Sequence, residues 1–191
     1  MERAVAKLIY AANMSLDGYT EDDAGTPGWA ERDDAVFAFT TDLMRSAGTY
    51  LYGRRMYDAM AVWETNASLA AQSDLTSAFA SVWQAADKVV YSTSMTTVAT
   101  AKTRLERRFD PDGVRDMLAA APRDVLVGGP NLAAQALEAG LVDECRLIVW
   151  PVILAGRNPA LPNHRRIDLA LLDEHRFANG VVHLRYRVRS K

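Results

Sequence analysis

The short apolar run Val125-Leu126-Val127 passes straight into Gly128-Gly129-Pro130 and then into a helix-forming stretch, Asn131 to Ala139, with Gly140 after it. A strand that ends in glycine and gives way at once to a helix is the half-unit of a parallel sheet, whose neighbouring strands need a crossover between them. The order recurs. Thr49 to Tyr52 reads as a strand closed by Gly53, with a helix starting near Arg55, and Val5 to Ala12 reads as a buried strand entering a loop before a helix over Asp33 to Ala47. That helix carries Val36, Phe37, Thr40, Leu43 and Met44 on one side, and Gly48 is placed to end it. Further helices are expected over Asp74 to Ala86 and Asp112 to Ala121, with a strand over Lys88 to Ser92 between them.

Strands predominate after about residue 140. Glu144 to Leu154 reads as one long apolar strand, and the last segment as two antiparallel strands joined at Asn179-Gly180, a strong hairpin signal. The expected class is α/β: a mainly parallel sheet covered by helices on both faces, with an antiparallel hairpin at one edge. No repeat, low-complexity block or linker divides residues 1–191, so one domain is expected.

Lys plus Arg total 22 and Asp plus Glu 24, which leaves no general electrostatic attraction for nucleic acid or an anionic membrane. Any anion site is therefore local. The single cysteine, Cys145, excludes an intrachain disulfide and a multi-cysteine zinc site. The three histidines, His164, His175 and His183, lack metal-ligand spacing on one element, so no metal is expected. The N-terminal stretch is too short in apolar residues for a signal peptide, and no segment approaches a membrane span, so a cytoplasmic protein is expected.

Three segments could carry chemistry. At Leu51-Tyr52-Gly53-Arg54-Arg55-Met56-Tyr57, glycine admits a ligand to the backbone, and two permanently charged guanidiniums stand at a positive helix terminus. A phosphate monoester fits that description, and so does a plain surface turn. At Gly128-Gly129-Pro130, backbone N–H groups with a helix dipole behind them suit a pyrophosphate, although the third glycine of a Rossmann fingerprint is missing. Ser92-Thr93-Ser94 puts hydroxyls at a strand's C-terminal end, where α/β sheets bind ligands.

All three segments lie where strands end, and together with Met14-Ser15-Leu16-Asp17-Gly18, Leu137-Glu138-Ala139-Gly140-Leu141-Val142-Asp143-Glu144, Pro151-Val152-Ile153-Leu154 and Phe177-Ala178-Asn179-Gly180-Val181-Val182 they cover nearly the whole chain in order. On these residues the chain resembles the dihydrofolate-reductase-like family, and within it the stand-alone relatives of the reductase domain of the bacterial riboflavin-biosynthesis deaminase-reductase. The resemblance implies a three-layer α/β/α fold with a mixed sheet of about eight strands. It also implies NADPH as cofactor: Gly53, Arg54 and Arg55 at the 2′-phosphate, Gly128, Gly129, Asn131 and Leu132 at the diphosphate, and Ser92 near the adenosine phosphate. Ala12 and Leu16 would lie towards the nicotinamide, and the loop from Ser15 to Trp29 would form a mobile lid. Two departures stand out. Relatives usually carry threonine where this chain has Met56, and riboflavin-pathway reductases usually carry glutamate where it has Val127, which argues against their pyrimidine chemistry.

Hydride transfer to a C=N bond also needs a proton. Asp33 stands four residues before Phe37, the spacing of the carboxylate and aromatic in dihydrofolate reductases, though a dipole-stabilised helix start, which Asp34 would serve equally, is its plainer explanation. Asp17 is the second candidate, with a turn-forming role as its plainer explanation. Asn13, Phe37 and Trp63 are expected to meet a planar substrate, with Trp29 as a further wall. The reading is an NADPH-dependent reductase of a small planar heterocycle or imine. Alternatives are a catalytically degenerate NADPH-binding protein, an authentic dihydrofolate reductase, and a 5-amino-6-(5-phosphoribosylamino)uracil reductase. A homodimer is expected, paired through the strand Arg146 to Leu154 and the terminal hairpin.

Overall fold

The computed structural model describes residues 5–25, 28–30 and 32–189. Strands β1 (Leu8–Ser15), β2 (Ala47–Gly53), β3 (Asp87–Tyr91), β4 (Thr103–Glu106), β5 (Asp124–Gly128), β6 (Glu144–Trp150), β7 (Leu169–Arg176) and β8 (Val182–Val188) form one sheet in the order β4-β3-β2-β5-β1-β6-β8-β7. Pairings from β4 through to β6 are parallel, and β8 is antiparallel to both β6 and β7. The helices are α1 (Asp34–Arg45), α2 (Arg54–Thr65), α3 (Ala67–Ala70), α4 (Asp74–Ala85), α5 (Pro111–Ala120) and α6 (Pro130–Glu138).

Alternation along each central strand sends neighbouring side chains to opposite faces. Leu8, Tyr10, Leu51, Val125 and Val127 pack with Val114 and Leu118 of α5 and with Leu132, Ala133, Ala136 and Leu137 of α6. Ile9, Tyr50, Tyr52, Val90 and Leu126 pack on the other face with Leu43 and Met44 of α1, Tyr57 and Ala61 of α2, and Phe79, Val82 and Trp83 of α4. Both faces are therefore dry, which is why these strands read as continuous apolar runs. The three layers are the α/β/α arrangement expected.

Several boundaries differ. Gly48 does not end α1: the helix stops at Ser46, whose N–H reaches back to the Asp42 and Leu43 carbonyls, and Gly48 lies inside β2. The long strand ends at Trp150, because Pro151 has no N–H to continue the ladder. Both edges of β6 are occupied, by β1 and β8, so this strand is not available to pair with a second copy. Strand β4 escaped the sequence reading because three of its four residues, Thr103, Arg104 and Glu106, are polar, as an edge strand allows. Among the described residues no helix is long and apolar enough to cross a membrane.

Where β6 begins, Glu144 is almost wholly buried and meets three cations: Lys7 at 2.8 Å, Arg185 at 2.8 Å and Arg146 at 3.2 Å. Burial alone would raise its pKa, but the hydrogen bonds and charges of Arg185, Lys7 and Arg146 prevail and hold it at about 2. A carboxyl held below its unfolded value stabilises the fold fully above that value, and the contribution is lost as pH falls through about 2. Glu144→Gln is expected to destabilise the protein by about 2 kcal/mol near neutrality, because three partly exposed cations are left together without the buried carboxylate that pairs them. Urea unfolding from pH 5 downwards is expected to show a shallower acid loss in the variant than in the parent.

Candidate active site

A cavity of about 1300 Å³ opens at the C-terminal ends of β1, β5 and β2, where β5 is inserted between the other two and the strand order reverses. Open parallel sheets bind ligands at such a point. Register brings the ends level: Tyr10 pairs with Val127, and Tyr52 with Gly128.

Two of the helices that begin at the cavity, α2 and α6, lack what the others have. Asp33, Asn66, Ser73 and Asp110 each accept a hydrogen bond from their own helix's first turn, at α1, α3, α4 and α5. Gly53 before α2 and Gly129 before α6 give no side-chain cap, and neither first turn contains an acidic residue. Uncapped N–H groups with a positive helix end behind them are suited to an anion. Arg54 and Arg55 line the cavity from α2, and Asn131 and Leu132 from α6.

The glycines are explained by space and conformation. A Cβ on Gly128 would lie 2.8 Å from Cε1 of the buried Tyr52 ring, and Gly129 has φ +90, which side-chain-bearing residues rarely adopt. Met56 packs on the same turn: its methyl would stand 3.4 Å from a Cβ at Gly128, and its own Cβ 3.4 Å from one at Gly129. A Cβ on Gly53 would meet nothing within 4 Å, so this glycine leaves room for something outside the protein.

The adenosine end expected from the resemblance holds more charge than the sequence reading gave it. Arg107 and Arg108, following β4, line the cavity with Arg54, Arg55, Ser92 and Thr93. Arg107 is anchored by donating to the Met95 carbonyl at 2.6 Å, and Arg54 donates to Ser94 Oγ at 3.4 Å. The Ser92 hydroxyl oxygen accepts from the N–H of Ser94 and of Met95, shaping the turn. The missed signal was a second Arg-Arg pair after a short alternating run.

The opposite end is aromatic and apolar. Phe37, Trp63 and Phe79 form a cluster with ring centroids 4.6 to 5.9 Å apart, and Arg32 lies 5.4 Å over the Phe37 ring. Asp33 also lines this end, its Oδ1 accepting from the Val36 N–H at 2.9 Å. It is thus a helix cap and a cavity residue at once. Asn13 and Ala12 line the cavity from β1, and Trp150 Nε1 donates to Asn13 Oδ1 at 3.0 Å, which leaves the amide NH2 of Asn13 available.

Asp17 is not brought to this cavity. Its carboxylate accepts from the N–H groups of Leu154 and Ala155 at 3.1 and 2.8 Å, and Ser15 with these amides holds its carboxyl below the usual range. The carboxylate instead ties the end of β1 to the segment after β6. Leu16 is likewise outside the lining, largely exposed, with its N–H donated to Val152. The loop between β1 and α1 contributes Thr20, Glu21, Trp29 and Ala30 to the cavity wall. It is more tied down than a free lid: Tyr19 bridges Pro159, Thr20 donates to the Asn158 carbonyl, and Trp29 Nε1 donates to the Thr20 carbonyl. Residues 26 and 27 of the expected lid lie outside the described residues.

A sheet of this order, covered by helices on both faces, has the fold of the dihydrofolate reductases. A dihydrofolate reductase of Enterococcus faecalis, solved with NADP(H), superposes with a TM-score of 0.64 over 96% of this chain and 97% of its own, at 8% identity. A Shewanella sp. PV-4 protein provisionally assigned to riboflavin biosynthesis reaches 0.69 over 96% and 99%, at 17% identity. The chain belongs to the RibD C-terminal domain family, whose model matches residues 6–182. The protein YyaP of Bacillus subtilis is 26% identical over 183 residues, 94% of each chain.

Two of the cavity glycines, Gly128 and Gly53, differ in what they tolerate. Gly128→Ala is expected to lower stability by about 2 kcal/mol, since the Tyr52 ring is walled in and cannot yield. Gly53→Ala is expected to leave the thermal midpoint unchanged. Parallel thermal melts of the two variants check this.

Proposed function

We propose that this chain is an NADPH-dependent reductase acting on a small planar heterocycle or imine. The observation that carries the proposal is the pair of uncapped helix starts on adjacent strand ends, set among Arg54, Arg55, Arg107 and Arg108 and facing an aromatic pocket in one continuous space. Bound NADPH would supply the hydride. Arg54, with Arg107 and Arg108 near it, binds the adenosine phosphate, and the amides of Asn131 and Leu132 meet the diphosphate, with Gly53 leaving space for its approach. Phe37 and Trp63 hold the flat substrate, and Asn13 donates from its amide. Asp33 passes a proton to the substrate through the oxygen that does not cap α1. Val127, where riboflavin-pathway reductases carry glutamate, directs the choice of substrate away from their pyrimidine. Met56 favours a second reading, a chain that binds NADPH without turnover, because a thioether packed on the glycine turn offers no hydroxyl to the phosphates. Two copies are proposed to associate through the outer edge of β7, where Leu171 and Leu172 are exposed; sedimentation as one 21.0 kDa species would rule this out.

Titration of NADPH fluorescence tests the reading. Binding tighter for NADPH than for NADH is expected, and Arg54→Gln is expected to remove most of that preference, about tenfold. Absence of any fluorescence change at millimolar cofactor overturns the proposal. Asp33→Asn separates two roles, because asparagine caps a helix as well as aspartate does. The variant is expected to keep its thermal midpoint and its NADPH affinity while turnover of dihydrofolate, pterin or pyrimidine substrates falls by about a hundredfold or more. NADPH binding with no turnover of any substrate by the parent selects the second reading.

A further inference from the structure

Arg55 meets an anion of the protein's own. Its Nη2 lies 2.9 Å from Oε1 of Glu21, in the loop after β1, and both residues line the cavity. The two partners are unequal: the Arg55 side chain is 65% exposed and that of Glu21 only 14%. The carboxylate is therefore the fixed member. Asn158 Nδ2 donates to the same Oε1 at 3.2 Å, and the backbone beside Glu21 is clamped to the segment that carries Asn158. Thr20 donates its N–H to the Asn158 carbonyl at 2.9 Å, and a Cβ on Gly156 would overlap the Glu21 carbonyl. Glu21 Oε1, held by Asn158, thus engages a guanidinium that stands at an uncapped helix start.

We infer that Glu21 is a built-in competitor for the cofactor's phosphates at Arg55, so that it sets how much negative charge a nucleotide must bring in order to bind. This rests on the cofactor reading above. A phosphate arriving at Arg55 either displaces the carboxylate or shares the guanidinium with it, and in both cases like charges oppose the approach. Ligands with several phosphates overcome that opposition through their other contacts, at α6 and at Arg54, Arg107 and Arg108. Ligands with a single phosphate do not. Glu21 thus contributes to selection by charge, a role distinct from the guanidiniums that attract.

Glu21→Gln is the discriminating variant, because its amide oxygen still accepts from Asn158 while the charge is gone. The dissociation constant for NADPH, followed by fluorescence at low salt, is expected to fall about two- to fivefold, the range of one exposed ion pair. The gain is expected to shrink as salt is added and to vanish when Arg55→Gln is present as well. An unchanged or weakened affinity in a Glu21→Gln protein of parental thermal midpoint overturns the inference. An equal gain in the absence of Arg55 also overturns it, since the effect would then be one of net charge alone. If the parent itself binds no NADPH, the cofactor reading fails separately, and the same pair of variants is titrated with inorganic pyrophosphate by calorimetry. Tighter pyrophosphate binding by Glu21→Gln than by the parent then supports the competitor role, and equal binding ends it.

Discussion

Strand β5 lies between β1 and β2 with helices packed on both of its faces, and this placement governs what the chain can do. Its backbone groups are committed to neighbours on either side, and its side chains Val125, Leu126 and Val127 are committed to core. Only where the strand ends, at Gly128, do polar backbone groups become free, and there the start of α6 adds its unbonded N–H groups. The paired register with β2 puts Gly53 and its two arginines at the same height. A crevice with a positive floor therefore follows from how three strands are ordered, before any particular ligand is considered.

The fold was legible because its signals are local. Apolar runs that end in glycine, followed by amphipathic stretches, mark parallel strands and their crossovers, and Asn179-Gly180 marks the hairpin. What failed did so for identifiable reasons. Gly48 looked like a helix stop, but the Ser46 N–H closes α1 first and the glycine passes into β2. The run Glu144 to Leu154 continues apolar beyond Trp150, and hydrophobicity alone does not register the N–H that Pro151 lacks.

Of the site, residues at strand ends and helix starts were readable, since their place in the crevice follows from topology. Arg54, Arg55, Gly128, Gly129, Asn131 and Ser92 line the cavity for that reason. Residues placed by long-range contacts were not. Arg107 and Arg108 depend on an edge strand with a weak pattern, and Glu21 depends on a segment more than 130 positions away, at Asn158. Asp17 shows the opposite error. A carboxylate in a promising motif was weighed as an acid, while its bonding partners, Leu154 and Ala155, lie too far along the chain for any local pattern to reveal.

Asp33 caps α1 and lines the cavity with one side chain, and this narrows what could ever replace it. The start of α1 accepts few residue types without loss: aspartate, asparagine, serine, threonine and, less well, glycine. Glutamate, histidine, lysine and tyrosine, the other side chains that could handle a proton in this pocket, would leave the Val36 amide without its acceptor. A saturation library at this one codon would consequently be thinned by folding before any selection for catalysis began. Among the well-folded survivors, aspartate alone would carry an ionisable group.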